Sequence, residues 1–265
     1  MTKPMVELSE AQSLRYARHI MLPSMDFEGQ EKILASHALV VGAGGLGCAV
    51  LPYLVASGVG TITIVDNDII ERSNLQRQIL YREADLGALK AATAIKAMQH
   101  MNSDCQLHAI TERITDDNIG RLFAAQTQPK IDVIVDCTDN VNIRLCLNRY
   151  CFTTATPLVS GAAIRMEGQV AVYPMNRKTL HQKAMPCYRC FSHYFGEQQL
   201  TCMEAGVLSP LVGVVGTLQA VETLKVLTGI GTTLQGKVLI YDAAHATFHT
   251  MQLPKLASCP VCGKA

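Results

Sequence analysis

The 265-residue chain lacks a strong excess of charge: Lys and Arg number 23, Asp and Glu 22, and the formal net charge at pH 7 is +1. Proteins that bind nucleic acid or membrane surfaces usually carry a basic excess, so this balance argues against both classes of partner. Met1 to Ala11 contains no apolar leader, and no stretch reaches the uninterrupted apolar length that spans a bilayer. We therefore expect a soluble, cytoplasmic protein in which any anion site is local.

The sequence also lacks internal repeats, low-complexity tracts and linker-like segments. Its hydrophobic content is 49%, which is enough for a substantial core. One large domain therefore fits the chain better than two small ones.

A glycine-rich turn, Gly42-Ala43-Gly44-Gly45-Leu46-Gly47, lies between a predicted buried strand and a predicted apolar helix. Gly42 is expected to allow the tight turn, Gly44 to let a phosphate approach the backbone, and Gly47 to let the helix pack closely on the strand. The free N–H groups of the helix would face the anion. A purely structural turn is the alternative, but the flanking strand and helix favour a nucleotide-phosphate site.

The second predicted strand, Thr61 to Asp66, ends in an acid 24 positions after Gly42. A carboxylate at this place can accept hydrogen bonds from ribose hydroxyls. Asp66 is therefore a candidate ribose ligand.

A polar segment follows Asp66 and contains Ser73, Asn74, Gln76 and Arg77, and Lys90 then begins a predicted helix. Arg77 can bind a phosphate through two parallel hydrogen bonds, and Lys90 can act as a point charge. Such loop cations are often merely solvated, but their position beside the end of the Asp66 strand favours phosphate binding. A triphosphate would need more of this positive charge than a dinucleotide.

The fourth predicted strand, Ile131 to Asp136, is followed by Asp139 and Asn140. Ligands of open parallel sheets lie beyond the carboxyl ends of the strands, so we expect Asp136 and Asp139 near the phosphates. Asp139 can supply a carboxylate to Mg²⁺, whereas either Asp139 or Asn140 can instead cap the next helix. Both roles are compatible.

From Pro157 the alternation of strand and helix changes: Pro157 to Ser160 and Gln169 to Tyr173 are predicted to be strands, and Asn176 to Lys183 is predicted to be a basic loop. A long apolar helix is predicted from Pro210 to Leu227, and Lys237 to Asp242 and Thr247 to Leu253 are predicted to form a closing antiparallel hairpin. The predicted fold class is α/β, with a Rossmann-like mixed β-sheet flanked by helices.

Two cysteine pairs, Cys187-x-x-Cys190 and Cys259-x-x-Cys262, supply four thiolates. This set matches a closed tetrahedral structural Zn²⁺ site, although an iron–sulfur cluster or a redox dithiol would also use such cysteines. Cys202 lies in a polar segment and is the thiol most expected to be exposed, which makes it a candidate nucleophile or transfer thiol.

The first predicted helix, Leu8 to Ile20, carries a basic edge formed by Arg15, Arg18 and His19. Composition alone favours a solvated helix face for these residues.

These motifs jointly resemble the ubiquitin-activating-enzyme-like (ThiF-MoeB-HesA) superfamily. The shared features are the glycine turn, Asp66, the segment Ser73 to Gln78, Lys90, the segment Asp136 to Asn140 and the paired cysteine knuckles. The resemblance extends from Leu14 to Cys262, and the segment Pro157 to Gln169 is more similar to the MoeB branch than to the ThiF branch. It implies N-terminal helices over residues 1–36 and an ATP-binding adenylation domain with a zinc-stapled C-terminal part over residues 37–265, in one domain overall.

The resemblance implies ATP-dependent adenylation of the C-terminal Gly-Gly carboxylate of a small ubiquitin-like sulfur carrier, the small subunit of molybdopterin synthase. By the same resemblance Asp66 holds the ribose, Asn74, Arg77 and Lys90 hold the phosphates, and Asp139 binds Mg²⁺. It further implies a separate sulfur donor.

The resemblance also implies a homodimer in which Arg18 acts on the ATP of the neighbouring subunit, which would overturn the interpretation as a solvated helix face. Cys202 aligns with a cysteine that forms covalent intermediates in only some members, so its role stays open. The alternatives are ThiF-type activation of the thiamine sulfur carrier, an NAD-dependent dehydrogenase and a non-catalytic nucleotide-binding scaffold.

Overall fold

The computed structural model describes residues 7–125, 130–175, 185–195 and 205–263. The helices in these ranges are α1 Glu10–Arg15, α2 Ala17–Ile20, α3 Asp26–Leu34, α4 Gly45–Ala56, α5 Lys90–Met98, α6 Ile119–Ala124, α7 Val141–Thr154, α8 Tyr188–Ser192 and α9 Ser209–Thr228. The strands are β1 His37–Val41, β2 Thr61–Val65, β3 Gln106–Ile110, β4 Val133–Asp136, β5 Leu158–Ile164, β6 Glu167–Tyr173, β7 Lys237–Asp242 and β8 Thr247–Gln252.

These strands form one eight-stranded sheet in the order β3-β2-β1-β4-β5-β6-β7-β8. The pairs from β3 to β5 are parallel, and those from β5 to β8 are antiparallel. The predicted mixed sheet and the closing hairpin are therefore confirmed.

Strands β5 and β6 are longer than the sequence indicated. Their pairing runs from Leu158 opposite Tyr173 to Ile164 opposite Glu167, so the glycine-containing stretch between the two predicted strands is itself strand. The tight turn that joins them begins at Arg165, whose φ of 53° lies in the left-handed region. Glycine inside a strand lowers the local preference for strand structure, which is why the sequence predicts two shorter strands. In the structure, the continuous pairing of β5 with β6 extends both strands through these glycines.

The sheet is covered on both faces, and β1 shows how the sequence achieves this. Ala38 and Val40 belong to the core cluster that includes α4, α5 and α9, whereas Leu39 and Val41 belong to the cluster on the opposite face with α6, α7 and α8. Successive side chains of a strand point to opposite faces, so a run that is apolar at every position is buried on both sides.

The single N-terminal helix predicted for residues 8–20 is divided into α1 and α2 at Tyr16. The Tyr16 ring is buried against Gly58, and its hydroxyl donates to Asp104 Oδ2 at 2.8 Å and accepts from Asn102 Nδ2 at 2.8 Å. These tertiary contacts replace one continuous helix by two short ones.

The N-terminal helices pack onto the sheet domain. Met25 and Ile33 lie in the same core cluster as β1, and the Gln30 side-chain amide donates to the Ser57 carbonyl at 2.9 Å. This packing supports a single folded unit, while the boundary at residue 36 stays a prediction.

Helix α9 corrects the expectation that no segment is long enough to span a bilayer. By length and composition its 20 residues would suffice, but half of the apolar window is buried inside the fold. A Cβ at Gly216 would lie 2.6 Å from the carbonyl oxygen of Leu46, so α9 lies directly on α4. These contacts are those of a core helix.

Candidate functional site

A cavity of about 1230 Å³ opens at the carboxyl ends of β1, β2 and β4. Strands β2 and β4 lie on either side of β1, so the connections after β1 and after β3 leave the sheet in opposite directions. Open α/β sheets bind their ligands at this switch point. Many of the residues predicted from sequence line this one cavity: Gly42, Gly44, Gly45, Asp66, Asn74, Arg77, Lys90, Asp139 and Asn140.

The glycine turn has the predicted backbone geometry at two positions. Gly42 has a φ of +95°, and a Cβ there would lie 2.7 Å from the carbonyl oxygen of Cys137. A Cβ at Gly47 would overlap the carbonyl oxygen of Gly42. Helix α4 can therefore begin directly at the end of β1 only with glycine at both places, which leaves its first N–H groups facing the cavity.

Asp66 lies at the end of β2 and is fixed by two backbone donors. Its Oδ2 accepts from the Ala43 N–H at 2.7 Å, and its Oδ1 accepts from the Asp68 N–H at 2.8 Å. Burial raises the pKa of Asp66, although both N–H groups and the nearby Lys90 oppose the shift. Each oxygen keeps a lone pair, so the carboxylate can still accept two hydroxyl donors.

Lys90 begins α5 and is buried in the cavity wall. Its Nζ lies 3.0 Å from Oδ2 of Asp68, and its backbone N–H donates to the Asp68 carbonyl at 2.9 Å. The buried Tyr81 hydroxyl donates to the Ala43 carbonyl at 2.7 Å and lies 3.2 Å from the Lys90 carbonyl. The Tyr81 side chain therefore connects the start of helix α5 to the glycine turn.

Asn74 ends a short 3₁₀ helix, Arg72–Asn74, that follows β2, and Arg77 lies in the turn after it. Asn74 is buried, and its Oδ1 accepts from the Glu71 N–H at 3.3 Å. The Arg77 Nη1 donates to the Ser73 carbonyl at 3.1 Å, which orients the guanidinium on the cavity wall. The remaining guanidinium donors can bind an anion in the cavity.

The structure separates the two roles considered for Asp139 and Asn140. The Asn140 side chain caps α7, because its Oδ1 accepts from the backbone N–H groups of Asn142 at 2.9 Å and Ile143 at 3.2 Å. Asp139 is exposed on the cavity wall and forms no hydrogen bond to another described residue. Its carboxylate can therefore bind a cation in the cavity.

Asp136 was expected near the phosphates, but it does not line the cavity and is completely buried, because its carboxylate is turned towards β5 and the Thr138 loop. Its Oδ2 accepts from Ser160 Oγ at 2.7 Å, and its Oδ1 accepts from Thr138 Oγ1 at 2.7 Å. Asp136 is also paired with a residue that the sequence reasoning missed, Arg144, whose Nε lies 3.6 Å from Oδ2.

Arg144 is a buried cation on α7 that lines the cavity. Burial lowers the pKa of its guanidinium, but Asp136, Tyr188 and Asp139 together outweigh this effect and the net pKa is raised. From sequence, an arginine within a helix is usually interpreted as solvated. The one signal that Arg144 lies near the cavity is its position five residues after Asp139.

Gln78 is a second residue outside the predicted set. It is 3% exposed and lines the cavity close to Gly44, and its Oε1 has no hydrogen-bond partner among the described residues. A buried unpaired amide oxygen costs about 1–3 kcal/mol, which favours a ligand or water partner at this point.

Several predicted residues lie outside the cavity wall. Gly47 packs beneath the turn, while Ser73 and Gln76 are exposed beside it. Arg18 is exposed on α2, where among the described residues its Nη1 approaches the sulfur of Met21, at 3.9 Å, and no acceptor of the cavity. Within one chain, the structure therefore does not bring Arg18 to the cavity.

The four paired cysteines converge into one buried cluster, in which their sulfur atoms all lie within 4.8 Å of one another. The Cys187 and Cys259 sulfurs are 3.7 Å apart, and those of Cys190 and Cys262 are 3.4 Å apart. Tetrahedral metal–thiolate sites with bonds of about 2.3 Å have sulfur–sulfur separations of roughly 3.8 Å. The cluster therefore has the donors and the size to hold a metal ion.

Two expectations fall outside the described residues. Cys202, the candidate transfer thiol, lies in the range 196–204, and the basic loop of residues 176–183 lies in the range 176–184. The role of Cys202 stays a prediction.

The parallel half-sheet, the glycine turn at its switch point and the cation-lined cavity define the class of Rossmann-like nucleotide-binding proteins. The ThiF family model matches residues 16–261, and the chain belongs to the ThiF family. The superfamily resemblance carried by the sequence motifs is therefore confirmed.

The chain is similar to proteins with named activities. The molybdopterin-synthase adenylyltransferase of Escherichia coli (strain K12) is 45% identical over 260 residues, which cover 98% of this chain and 100% of that protein. The sulfur carrier protein adenylyltransferase of Thermus thermophilus is 42% identical over 251 residues, with 94% and 90% coverage.

Among solved structures, the fold is similar to the crystal structure of E. coli MccB with MccA-N7isoASN. The TM-score is 0.81 at 22% sequence identity, over 97% of this chain and 76% of MccB. This likeness concerns the fold.

Proposed function

We propose that this protein is an adenylyltransferase that uses ATP to activate the C-terminal Gly-Gly carboxylate of a small ubiquitin-like sulfur carrier, the small subunit of molybdopterin synthase. The observation that carries the proposal is the cavity in which the glycine turn, Asp66, Arg77, Lys90 and Asp139 converge. The named activity of the 45% identical relative supports the same reaction.

The contacts around the cavity support a role for each side chain. Asp66, already held by two backbone N–H groups, accepts the ribose hydroxyls. Arg77 and Lys90 bind the phosphates together with the N–H groups at the start of α4, and Asn74 donates to them from the adjoining turn. Gly44 lets the phosphates lie directly on the backbone, whereas Gly42 allows the tight turn and Gly45 packs against Val212 of α9.

The reaction needs positioning and charge neutralisation more than an enzyme nucleophile. A carboxylate oxygen of the carrier attacks the α-phosphorus of ATP, a new oxygen–phosphorus bond forms, and the bond between the α-phosphorus and the bridging oxygen breaks. The electron pair of that bond leaves on pyrophosphate. Arg77 and Lys90 lie where they can neutralise the negative charge that develops on the phosphate oxygens.

Two metal ions belong to the proposal. Asp139 is the residue that would bind Mg²⁺, which neutralises phosphate charge when bound, and the carboxylate is free of other hydrogen bonds within the described ranges. Cys187, Cys190, Cys259 and Cys262 would hold a structural Zn²⁺, because four thiolates leave no open coordination position.

The proposal includes a homodimer. Arg18 is exposed on α2 and does not line the cavity of its own chain, so it would serve the cavity of a second copy. Apolar side chains near it, Leu14 and Met21, are 80% and 69% exposed, which supports a partner on this face. Nucleic acid and membrane are not proposed as partners, and we infer a soluble cytoplasmic protein whose sulfur donor is a separate protein.

The experiment that tests this proposal is ATP–pyrophosphate exchange, with Mg²⁺ and each candidate carrier in turn. Exchange is expected with the molybdopterin-synthase small subunit and should disappear when its terminal Gly-Gly is removed. Exchange only with the thiamine-pathway carrier would reassign the partner. Nicotinamide-dependent turnover, or ATP binding without exchange, would contradict adenylation.

A further inference from the structure

Helix α7 contacts both the cysteine cluster and the wall of the nucleotide cavity. Arg144 and Asn148 occupy adjacent turns of this helix, and they are 5% and 0% exposed. Residues four apart lie on the same face of a helix, so both side chains point towards the segment that carries the first cysteine pair. No part of the proposed chemistry uses Asn148.

At the cluster, Asn148 makes two specific hydrogen bonds. Its Nδ2 donates to the sulfur of Cys187 at 3.6 Å, and its Oδ1 accepts from the backbone N–H of Tyr188 at 2.9 Å. A thiolate that binds a metal ion retains negative charge and favours such a donor. Groups that orient metal ligands in this way commonly change metal affinity about 10–100-fold when mutated.

At the cavity, Arg144 holds the loop that carries Asp139. Its guanidinium donates to the backbone carbonyl of Thr138, the residue before Asp139, and pairs with the buried Asp136 at 3.6 Å. Asp136 in turn accepts from the Thr138 N–H at 3.1 Å. Two buried charged groups therefore fix the backbone immediately before the cavity carboxylate.

The two ends meet at Tyr188. The Tyr188 side chain lies beside the guanidinium of Arg144 and interacts with it electrostatically, and the Tyr188 backbone N–H donates to Asn148 Oδ1 at 2.9 Å. The contacts therefore form a continuous series. Cys187 contacts Asn148, Asn148 contacts Tyr188, and Tyr188 contacts Arg144, which holds the Thr138–Asp139 backbone at the cavity.

We propose that Asn148 and Arg144 are positioning residues that couple the four-cysteine centre to the metal-binding carboxylate of the nucleotide cavity. A correctly held Cys187 segment keeps Tyr188 and Arg144 in place, and Arg144 keeps the Thr138–Asp139 backbone in the arrangement that binds Mg²⁺ with ATP. This inference rests on the proposed function, because it assigns metal ions to both sites.

The test measures the Mg²⁺ concentration that gives half-maximal ATP binding in zinc-loaded protein, with zinc content checked for every sample. Asn148→Asp places a carboxylate beside the Cys187 sulfur, so zinc should be lost to a chelator at least about tenfold more readily. The half-maximal Mg²⁺ concentration should also rise by about fivefold or more, the lower range of coupling between linked sites.

Arg144→Gln should raise the same Mg²⁺ concentration directly. Because Asn148 acts through Arg144, the double variant should need no more Mg²⁺ than Arg144→Gln alone. Arg149→Gln is the matched control: it removes a guanidinium from the same helix, but Arg149 is exposed and paired with Asp116 at 2.5 Å, so the Mg²⁺ dependence should not change.

A structural role alone for Asn148 would lower thermal stability without moving the Mg²⁺ dependence of the zinc-loaded protein, and that result would overturn the coupling. Independent, multiplicative effects of Asn148→Asp and Arg144→Gln would overturn it as well. If Asn148→Asp does not fold, Asn148→Ala removes both amide bonds without adding a charge and carries the same expectation. Absence of ATP binding by the wild-type protein would instead contradict the proposed function.

Discussion

The ammonium group of Lys90 lies 3.0 Å from Oδ2 of Asp68, and the two side chains differ sharply in environment: the lysine is 8% exposed and the aspartate 64%. The Lys90 ammonium is therefore buried in the cavity wall, whereas the Asp68 carboxylate that pairs with it is exposed to solvent. An ATP phosphate that binds Lys90 must compete with this carboxylate.

Asp68→Asn removes that competition. Since pairs with one exposed partner contribute at most about 1 kcal/mol, the variant should bind Mg-ATP about two- to fivefold more tightly. Its melting temperature without nucleotide should fall, because the buried ammonium loses its partner. Isothermal titration and thermal melts check both effects, and Glu83→Gln, which breaks the exposed pair with Arg72, is the control. Unchanged ATP affinity would show that Lys90 does not bind phosphate.

The pKa of Asp66 gives a prediction about pH. Burial raises this pKa, so the carboxyl group is protonated at a higher pH than an ordinary aspartate, and it then loses its full capacity to accept ribose hydroxyls. ATP affinity should therefore decrease as pH falls through the raised pKa and be greatest above it. Asp66→Asn should bind ATP about 10–100-fold more weakly and lack this component of the pH profile. An identical pH profile in wild type and variant would contradict the assignment.

The glycine turn and the position of Asp66 were sufficient to predict the parallel half of the sheet and the part of the cavity wall at the ends of β1 and β2, and the spacing of the cysteine pairs predicted the cysteine cluster. These features are local: a backbone turn, a strand end and two short knuckles. Arg144 and Gln78 could not be predicted in the same way, because a polar side chain in a helix or loop becomes a buried cavity residue only through tertiary packing. The division of the first predicted helix at Tyr16 could not be predicted either, because it depends on the contacts of Tyr16 with Gly58, Asn102 and Asp104.

The cysteine cluster predicts the effect of losing one thiolate. Cys259→Ser should abolish stoichiometric zinc binding and lower thermal stability strongly, because metal binding contributes directly to the folding free energy of such sites. Metal analysis and calorimetry measure the two effects. Cys105→Ser is the control, since this half-buried thiol donates to the Val59 carbonyl at 2.7 Å, a bond that a hydroxyl can also make. Full zinc content in Cys259→Ser would contradict the site.

The proposed exchange of Arg18 between subunits can be tested by mixing two inactive variants. Arg18→Ala and Lys90→Ala should each lack activity as homodimers. Equal mixing and re-association should restore about one quarter of the wild-type activity, because half of the dimers are mixed and each mixed dimer has one complete site. A mixture that stays inactive although mixed dimers form would show that Arg18 does not act across the interface.

The measurement that tests the central claim most directly follows the α-phosphate of ATP. With ATP labelled at the α-phosphorus, the carrier should acquire label only when its terminal Gly-Gly is intact, and Arg77→Ala should abolish the transfer while its melting temperature stays within a few degrees of wild type. Label transferred from the γ-phosphorus, or carrier that remains unlabelled under conditions where ATP binds, would contradict adenylation of the carrier carboxylate.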